Sequence, residues 1–216
     1  MKVLELFAGT KSVGRAFEAE GHEVFSIEWE EKHKDIDWYM DISKITAGDI
    51  LERFGRPDII WASFDCTTYS IAAISHHRTR EEDGNLAPKS EKAKIADATN
   101  QHVLKLIEEL MPTYFFIENP RGGLRKMRWI QNLPRFTVWY CRYNDSRAKP
   151  TDIWTNHPNP RFLPVCRNGN PDCHHQRAPR GAKTGTQGIK GSVDRSRIPE
   201  ELCKHIVKIS TESESL

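Results

Sequence analysis

A chain of 216 residues has room for one substantial core and a small appendage. With 32 basic and 30 acidic residues its formal net charge is +2, which excludes attachment to nucleic acid by bulk charge and leaves only the placement of cations to indicate such a partner. No stretch approaches the ~18 uninterrupted apolar residues of a membrane span, Met1–Glu5 carries no apolar targeting region, and five scattered cysteines point to free thiols in a reducing cytoplasm.

Val3–Ala8 is predicted as a first strand, broken at Gly9-Thr10-Lys11-Ser12 and resumed as a helix from Val13 to Glu20, closed by Gly21. This is how nucleotide-binding α/β units open: glycine lets the backbone approach a ligand, and helix N–H groups face it. The ending of a phosphate loop is absent. Val24–Ile27 is a second strand delivering Glu28, an acid placed to accept from ribose hydroxyls. Together the two features point to an adenosine-containing cofactor. Ile36–Met40 reads as a short third strand with Asp41 at its end.

Ile59-Ile60-Trp61 is a buried strand entered from the Arg56-Pro57-Asp58 turn, and the chain then turns polar and delivers Cys66. Ligands collect beyond the carboxyl ends of strands in α/β sheets, so this thiol is positioned as a nucleophile. Ile71–Ser90 reads as a long irregular lid over Cys66. Glu91–Met111 is a helix stopped by Pro112, and Tyr114–Ile117 is a central strand ending in Glu118-Asn119-Pro120, which aims a carboxylate at the same cleft. Phe136–Tyr140 and Thr151–Thr155 pair as an edge hairpin with cations at its tip.

Residues 1–156 therefore form a catalytic unit. Residues 157–197 change character: Pro and Gly recur, and Arg161, Arg167, Arg177, Arg180, Lys183, Lys190, Arg195 and Arg197 face only Asp172 and Asp194, as in a phosphate-backbone contact surface. Residues 198–216 return to the first unit as a helix to about Ile209 and a frayed tail. Cys166, Cys173, His174 and His175 invite zinc, but without close knuckle spacing, and a fourth ligand (His157 or Cys141) has to come from elsewhere. The expectation is no resident metal.

In this order the motifs resemble the cytosine-5 DNA methyltransferase family, and are most similar to compact phage-type members, from Leu4 to about Ile209. Leu6-Phe7-Ala8-Gly9 with Gly14 resembles the family's cofactor motif, Ser63-Phe64-Asp65-Cys66 its Pro-Pro-Cys turn, Glu118-Asn119-Pro120 its Glu-Asn motif, and Asp145-Ser146-Arg147-Ala148-Lys149 its Gln-x-Arg-x-Arg motif. The resemblance implies a Rossmann-like S-adenosylmethionine-dependent methyltransferase fold, α/β with a mixed, mostly parallel sheet and a small loop-rich target-recognition segment. It implies cofactor contacts from Phe7, Ala8, Gly9, Thr10, Glu28, Trp29, Asp41, Ile42 and Ser63, catalysis by Cys66, Glu118 and Arg147, and DNA contacts from Lys149, Arg177, Arg180 and Lys183. Carbon-5 of cytosine is too electron-poor to take a methyl group directly, and a thiolate added at carbon-6 makes it nucleophilic. The implied partner is double-stranded DNA, bound by a cytoplasmic monomer in a bacterial or phage-infected cell, with the cytosine flipped from the stack.

The departures are Phe64-Asp65 for two prolines, Thr10-Lys11-Ser12 for a second glycine pair, and Arg195-Ser196-Arg197 for a Gly-Asn. They leave three other readings open: a carboxylated S-adenosylmethionine paired by Lys11, Arg195 and Arg197; an RNA cytosine as target; and an inactive DNA-binding relative.

Overall fold

The computed structural model describes residues 1–176, 189 and 191–212. Arg177, Arg180, Lys183 and Lys190, and residues 213–216 of the expected frayed tail, lie outside the described residues. In chain order the elements are β1 (Lys2–Leu6), α1 (Ser12–Ala19), β2 (Glu23–Glu28), β3 (Trp38–Tyr39), α2 (Ala47–Arg53), β4 (Ile59–Ser63), α3 (Ile74–His77), β5 (Arg78–Arg80) and β6 (Leu86–Pro88). The long α4 (Glu91–Leu110) precedes β7 (Tyr114–Pro120), β8 (Arg135–Trp139), β9 (Pro150–Thr155), α5 (Ser192–Ser196) and α6 (Glu200–Thr211).

Seven strands form one sheet in the order β3-β2-β1-β4-β7-β9-β8. The first five run parallel, β9 runs antiparallel to β7, and β8 returns antiparallel along β9. The sheet is thus mixed and mostly parallel, as expected. Strand residues alternate between two apolar layers, the period-2 rule of a pleated sheet buried on both faces. Leu4, Leu6, Ile60, Ile117 and Trp154 pack on one side with Val103, Leu106 and Leu110 of α4. Val3, Ile59, Trp61, Phe116 and Ile153 pack on the other with Val13 and Phe17 of α1 and Leu202 and Ile206 of α6. Among the described residues no helix is long and apolar enough to cross a membrane.

Three expectations change. The third strand is only Trp38–Tyr39, because Asp37 turns its carboxylate onto Ser26, accepting from the amide at 2.8 Å and the hydroxyl at 2.5 Å, instead of extending the ladder. Ile71–Ser90 is not irregular: it holds α3 and the β5–β6 hairpin. Arg78 fastens it, with its guanidinium donating to Thr68 O, Thr68 Oγ1, Leu86 O and both Asp97 carboxylate oxygens, all buried. The loop between β8 and β9 is not a solvent-exposed tip of cations, because it tucks Tyr140, Cys141, Tyr143 and Arg147 inside.

Candidate active site

The order β2-β1-β4-β7 places the carboxyl ends of four parallel strands side by side, with Leu6 opposite both Ile27 and Ala62, and Ser63 opposite Glu118. That edge is where a parallel sheet presents ligands. After β1 the chain turns sharply: Phe7, Gly9 and Lys11 all have φ near +50°. The turn brings the Gly9 amide to Glu28 Oε2 at 3.0 Å, while the Trp29 and Glu30 amides donate to Oε1 at 2.9 and 3.2 Å. A carboxylate offers about four lone-pair sites, so Glu28 is fixed in place with acceptor capacity to spare. Beside it Trp29 leaves 65% of its surface exposed, an open aromatic face at the strand end. Asp41 is exposed and accepts from the Ser43 amide and hydroxyl at 3.0 and 2.8 Å, whereas Ile42 is buried beneath it. Ala8 is buried, Thr10 Oγ1 sits 2.6 Å from Ser12 Oγ, and Ser63 Oγ accepts from Trp61 Nε1 at 2.9 Å.

One contributor is missing from the sequence expectation. Glu5, buried in β1, accepts from the Gly14 amide at 3.0 Å. Burial pushes its carboxyl up to about 8, against the amides of Gly14 and Val13 and the charge of Lys11. A Cβ at residue 14 would collide with Glu5 Oε2, so glycine leaves the room that the Glu5 carboxyl occupies. The charged end of Lys11 is engaged by Glu18 at 2.8 Å and Asp37 at 3.6 Å.

The catalytic half is built by β4 and β7. The Phe64 amide donates to Glu118 O at 3.2 Å, and Asn119 Nδ2 donates to Phe64 O at 3.0 Å. These bonds restrain the turn where the two expected prolines are absent. Phe64 is buried edge-on against Phe7, with ring centroids 6.0 Å apart. Asp65 folds back to accept from the Thr67 amide and hydroxyl at 3.0 and 2.7 Å, so its carboxylate is turned toward Thr67. Cys66 is exposed and reachable. The surrounding protein still crowds it: burial pushes the thiol above its ordinary value, Lys149 is the leading charge opposing that, and Glu118 and Asp65 push it further up.

Glu118 is buried at the end of β7, and Tyr140 donates its hydroxyl to Oε1 at 3.1 Å. Burial raises its carboxyl above the ordinary range, again with Lys149 as the first opposing charge. Burial lowers the Lys149 ammonium, and Glu118 and Cys66 are the charges that hold it up. Lys149, expected among the phosphate contacts, donates from Nζ to Arg195 O at 3.2 Å and sits 4.8 Å from the Tyr140 ring, and its charge is the leading one acting on both the thiol and the carboxyl.

Arg147 is differently employed. Nε and Nη2 grip the Asp145 carboxylate, Nη1 donates to Asp194 O and Arg195 O at 3.1 and 3.3 Å, and Nη2 donates to Arg197 O at 2.8 Å. All five guanidinium N–H groups have acceptors, so in this arrangement Arg147 fastens the 194–197 strap and has no donor left for a base oxygen. Nearby, Cys141, Cys166, Cys173 and His175 converge, while His157 and His174 bond instead to Ile209 O and Asp145 O at 3.0 and 3.1 Å. Two recesses of about 510 and 550 Å³ lie along α6 and contain neither Cys66 nor Glu118.

A family profile described as C-5 cytosine-specific DNA methylase matches residues 1–134. Among solved structures, the chain is similar to a DNA modification methyltransferase encoded within an E. coli prophage (TM-score 0.53, 15% identity, 72% of this chain and 46% of that one). It is also similar to the S. pombe Dnmt2 methyltransferase (TM-score 0.49, 16% identity, 72% of this chain and 48% of that one). No curated protein matches it. The chain spans about half the length of these two structures, and the first likeness assigns the fold as that of Rossmann-like methyltransferases.

Proposed function

We propose that this chain, which belongs to the C-5 cytosine-specific DNA methylase family, methylates carbon-5 of a cytosine extruded from double-stranded DNA through a transient covalent adduct on Cys66. The single observation carrying this is that neighbouring β4 and β7, with Ser63 paired to Glu118, deliver an exposed thiol and a buried carboxyl to the same sheet edge. The residues present fit S-adenosylmethionine: Glu28 is oriented with a lone pair to spare for ribose hydroxyls, the Gly9 turn brings backbone close, and the exposed Trp29 ring gives a flat face for adenine. When bound, that cofactor supplies an electrophilic methyl group.

The protein's own groups prepare the base. The Cys66 thiolate adds to carbon-6, so electron density rises at carbon-5 and flows toward N3. In its protonated form, which burial favours, Glu118 donates a hydrogen bond to N3 and stabilises the ring as charge gathers there. Lys149 favours the thiolate by its charge. After transfer, loss of the carbon-5 proton and expulsion of Cys66 restore aromaticity.

The test is a 5-fluorocytosine substrate, on which the last elimination has no proton to remove. The protein should stay bonded to fluorinated duplex DNA through denaturing electrophoresis, only with cofactor present, and Cys66→Ser should lose the band. Trapping on fluorinated RNA alone would move the substrate to RNA. A product nucleoside heavier than 5-methylcytosine would move the donor to a modified cofactor, and absence of any adduct from a folded protein would refute the covalent route.

A further inference from the structure

We propose that Cys141, Cys166, Cys173 and His175 bind one zinc ion, which fixes the root of the 157–197 segment to the loop carrying Arg147 and Lys149. Their ligand atoms all lie within 4.8 Å of one another. Cys166 Sγ and His175 Nδ1 are 3.9 Å apart, close to the ~3.6–3.8 Å edge of a tetrahedron with Zn–S near 2.3 Å and Zn–N near 2.1 Å. Three thiols and an imidazole form a closed structural set suited to zinc rather than to hard, oxygen-seeking cations.

A second observation is independent of that convergence. Residues 157–176 form no helix or strand, yet Cys166 and His175 are buried. Long irregular segments are uncommon inside compact domains; His157 and Phe162 pack on the main core, but beyond Phe162 the segment joins an apolar cluster only through Cys166 and Cys173, with Trp139, Cys141 and Ala148. That apolar cluster is too small to hold so long a segment by itself, whereas a metal holds such segments by coordination. The surroundings also suit a thiolate: Asn170 Nδ2 donates to Cys166 Sγ at 3.6 Å, and tight turns bring the Asn170 amide to Arg167 O and the Cys173 amide to Asn170 O.

The fourth ligand comes from the turn that follows β8, far away in sequence, and this explains why the spacing of the other three looked incomplete. Binding releases the three thiol protons to solvent. Coordination through Nδ1 leaves the remaining imidazole proton on Nε2, so the present contact from the Gly169 amide to that atom, at 3.3 Å, is exchanged when metal binds. Immediately beyond the cluster, the Gln176 amide donates to Ser146 O at 2.9 Å, next to Arg147. The metal therefore sets where the basic segment departs from the active-site loop.

The test is metal analysis of the full chain after exhaustive dialysis against a chelator, with about one zinc per chain expected for a closed four-ligand site. His174→Ala and Cys203→Ser should keep it. Cys173→Ser and His175→Ala should each lower it at least about tenfold, as expected on loss of one of four ligands. Cobalt added to metal-stripped wild type should give the intense visible bands of a tetrahedral thiolate site, a readout that does not depend on the variants folding. Stripping should speed protease cleavage within 157–176. Wild-type protein with well under one zinc and no such cobalt spectrum would overturn the proposal, as would full zinc retention in folded Cys173→Ser.

Discussion

Replacing Asp97 by asparagine tests what anchors the segment that follows Cys66. Asp97 is buried and receives Arg78 Nη2 and Nη1 at 2.7 and 3.1 Å and the Tyr69 hydroxyl at 2.6 Å. Arg78 is itself buried, over the Tyr69 ring at 4.0 Å, and its other contacts are with uncharged acceptors, the oxygens of Thr68 and Leu86 and the sulfur of Met127. The asparagine side chain keeps one acceptor oxygen but leaves the guanidinium charge uncompensated in the interior. Breaking a buried pair in this way costs about 3–5 kcal/mol. A chain of this size loses about 2–4 °C of melting temperature per kcal/mol, so the midpoint should fall on the order of 10 °C by calorimetry. Protease cutting between residues 71 and 90 should accelerate, and trapping on fluorinated DNA should slow, because Thr68 and Tyr69 lie two and three positions after the nucleophile. Arg78→Met combined with Asp97→Leu should recover part of the loss, since it removes both charges. A midpoint within about 2 °C of wild type would mean that the guanidinium rehydrates freely, and the anchoring argument would fall.

Three further outcomes are expected. Lys149→Met removes the leading charge that favours the Cys66 thiolate; alkylation of Cys66 near pH 7 should slow, with the pH midpoint moved up and the high-pH plateau kept, and an unmoved midpoint would clear Lys149 of this role. Glu5 is raised to about 8 by burial, so its contribution to stability is complete below the ordinary value near 4.5 and is lost as pH climbs through about 8. Wild type should lose up to about 5 kcal/mol over that interval and Glu5→Gln far less, and parallel melting curves for the two proteins across pH 5–9 would refute this. Gly14→Ala should cost about 1–3 kcal/mol by overpacking, read by denaturant melts, because its new methyl group collides with Glu5 Oε2; unchanged stability would show that Glu5 moves aside without penalty.

The strand ends were legible because each is a mostly apolar run that gives way to polar residues. Ile59–Trp61 before Cys66, Tyr114–Ile117 before Glu118, and Val24–Ile27 before Glu28 all announce the cleft by that pattern. What escaped was every decision made by a partner distant in sequence. Lys149 reads as a surface cation until the chain entering β9 lays it over the ring of Tyr140, whose hydroxyl bonds Glu118. Arg147 resembles a base-binding arginine until the carbonyls of Asp194, Arg195 and Arg197 occupy it. Arg78 sits in a polar run that reads as loop, and only Asp97, on α4, turns it into an anchor. Such pairings leave no periodic trace in the chain, because a single ion pair has no spacing to repeat.

The strap that closes on Arg147 also bears on how the molecule comes into being. The Ile198 amide faces Ser12 Oγ at 3.4 Å across 186 positions, and Leu202 and Ile206 of α6 cover Val13 and Phe17 of α1. During synthesis the sheet, Cys66 and Glu118 all emerge before the residues that roof α1 and fill the Arg147 clasp. A nascent chain halted before residue 194 therefore carries a bare apolar face on α1 and an Arg147 without the carbonyls of Asp194, Arg195 and Arg197, the kind of surface that invites aggregation or proteolysis. Closure of so distant a contact is a late and slow step, and the ribosome must deliver the whole path from Ser12 to Ile206 before the catalytic edge is locked.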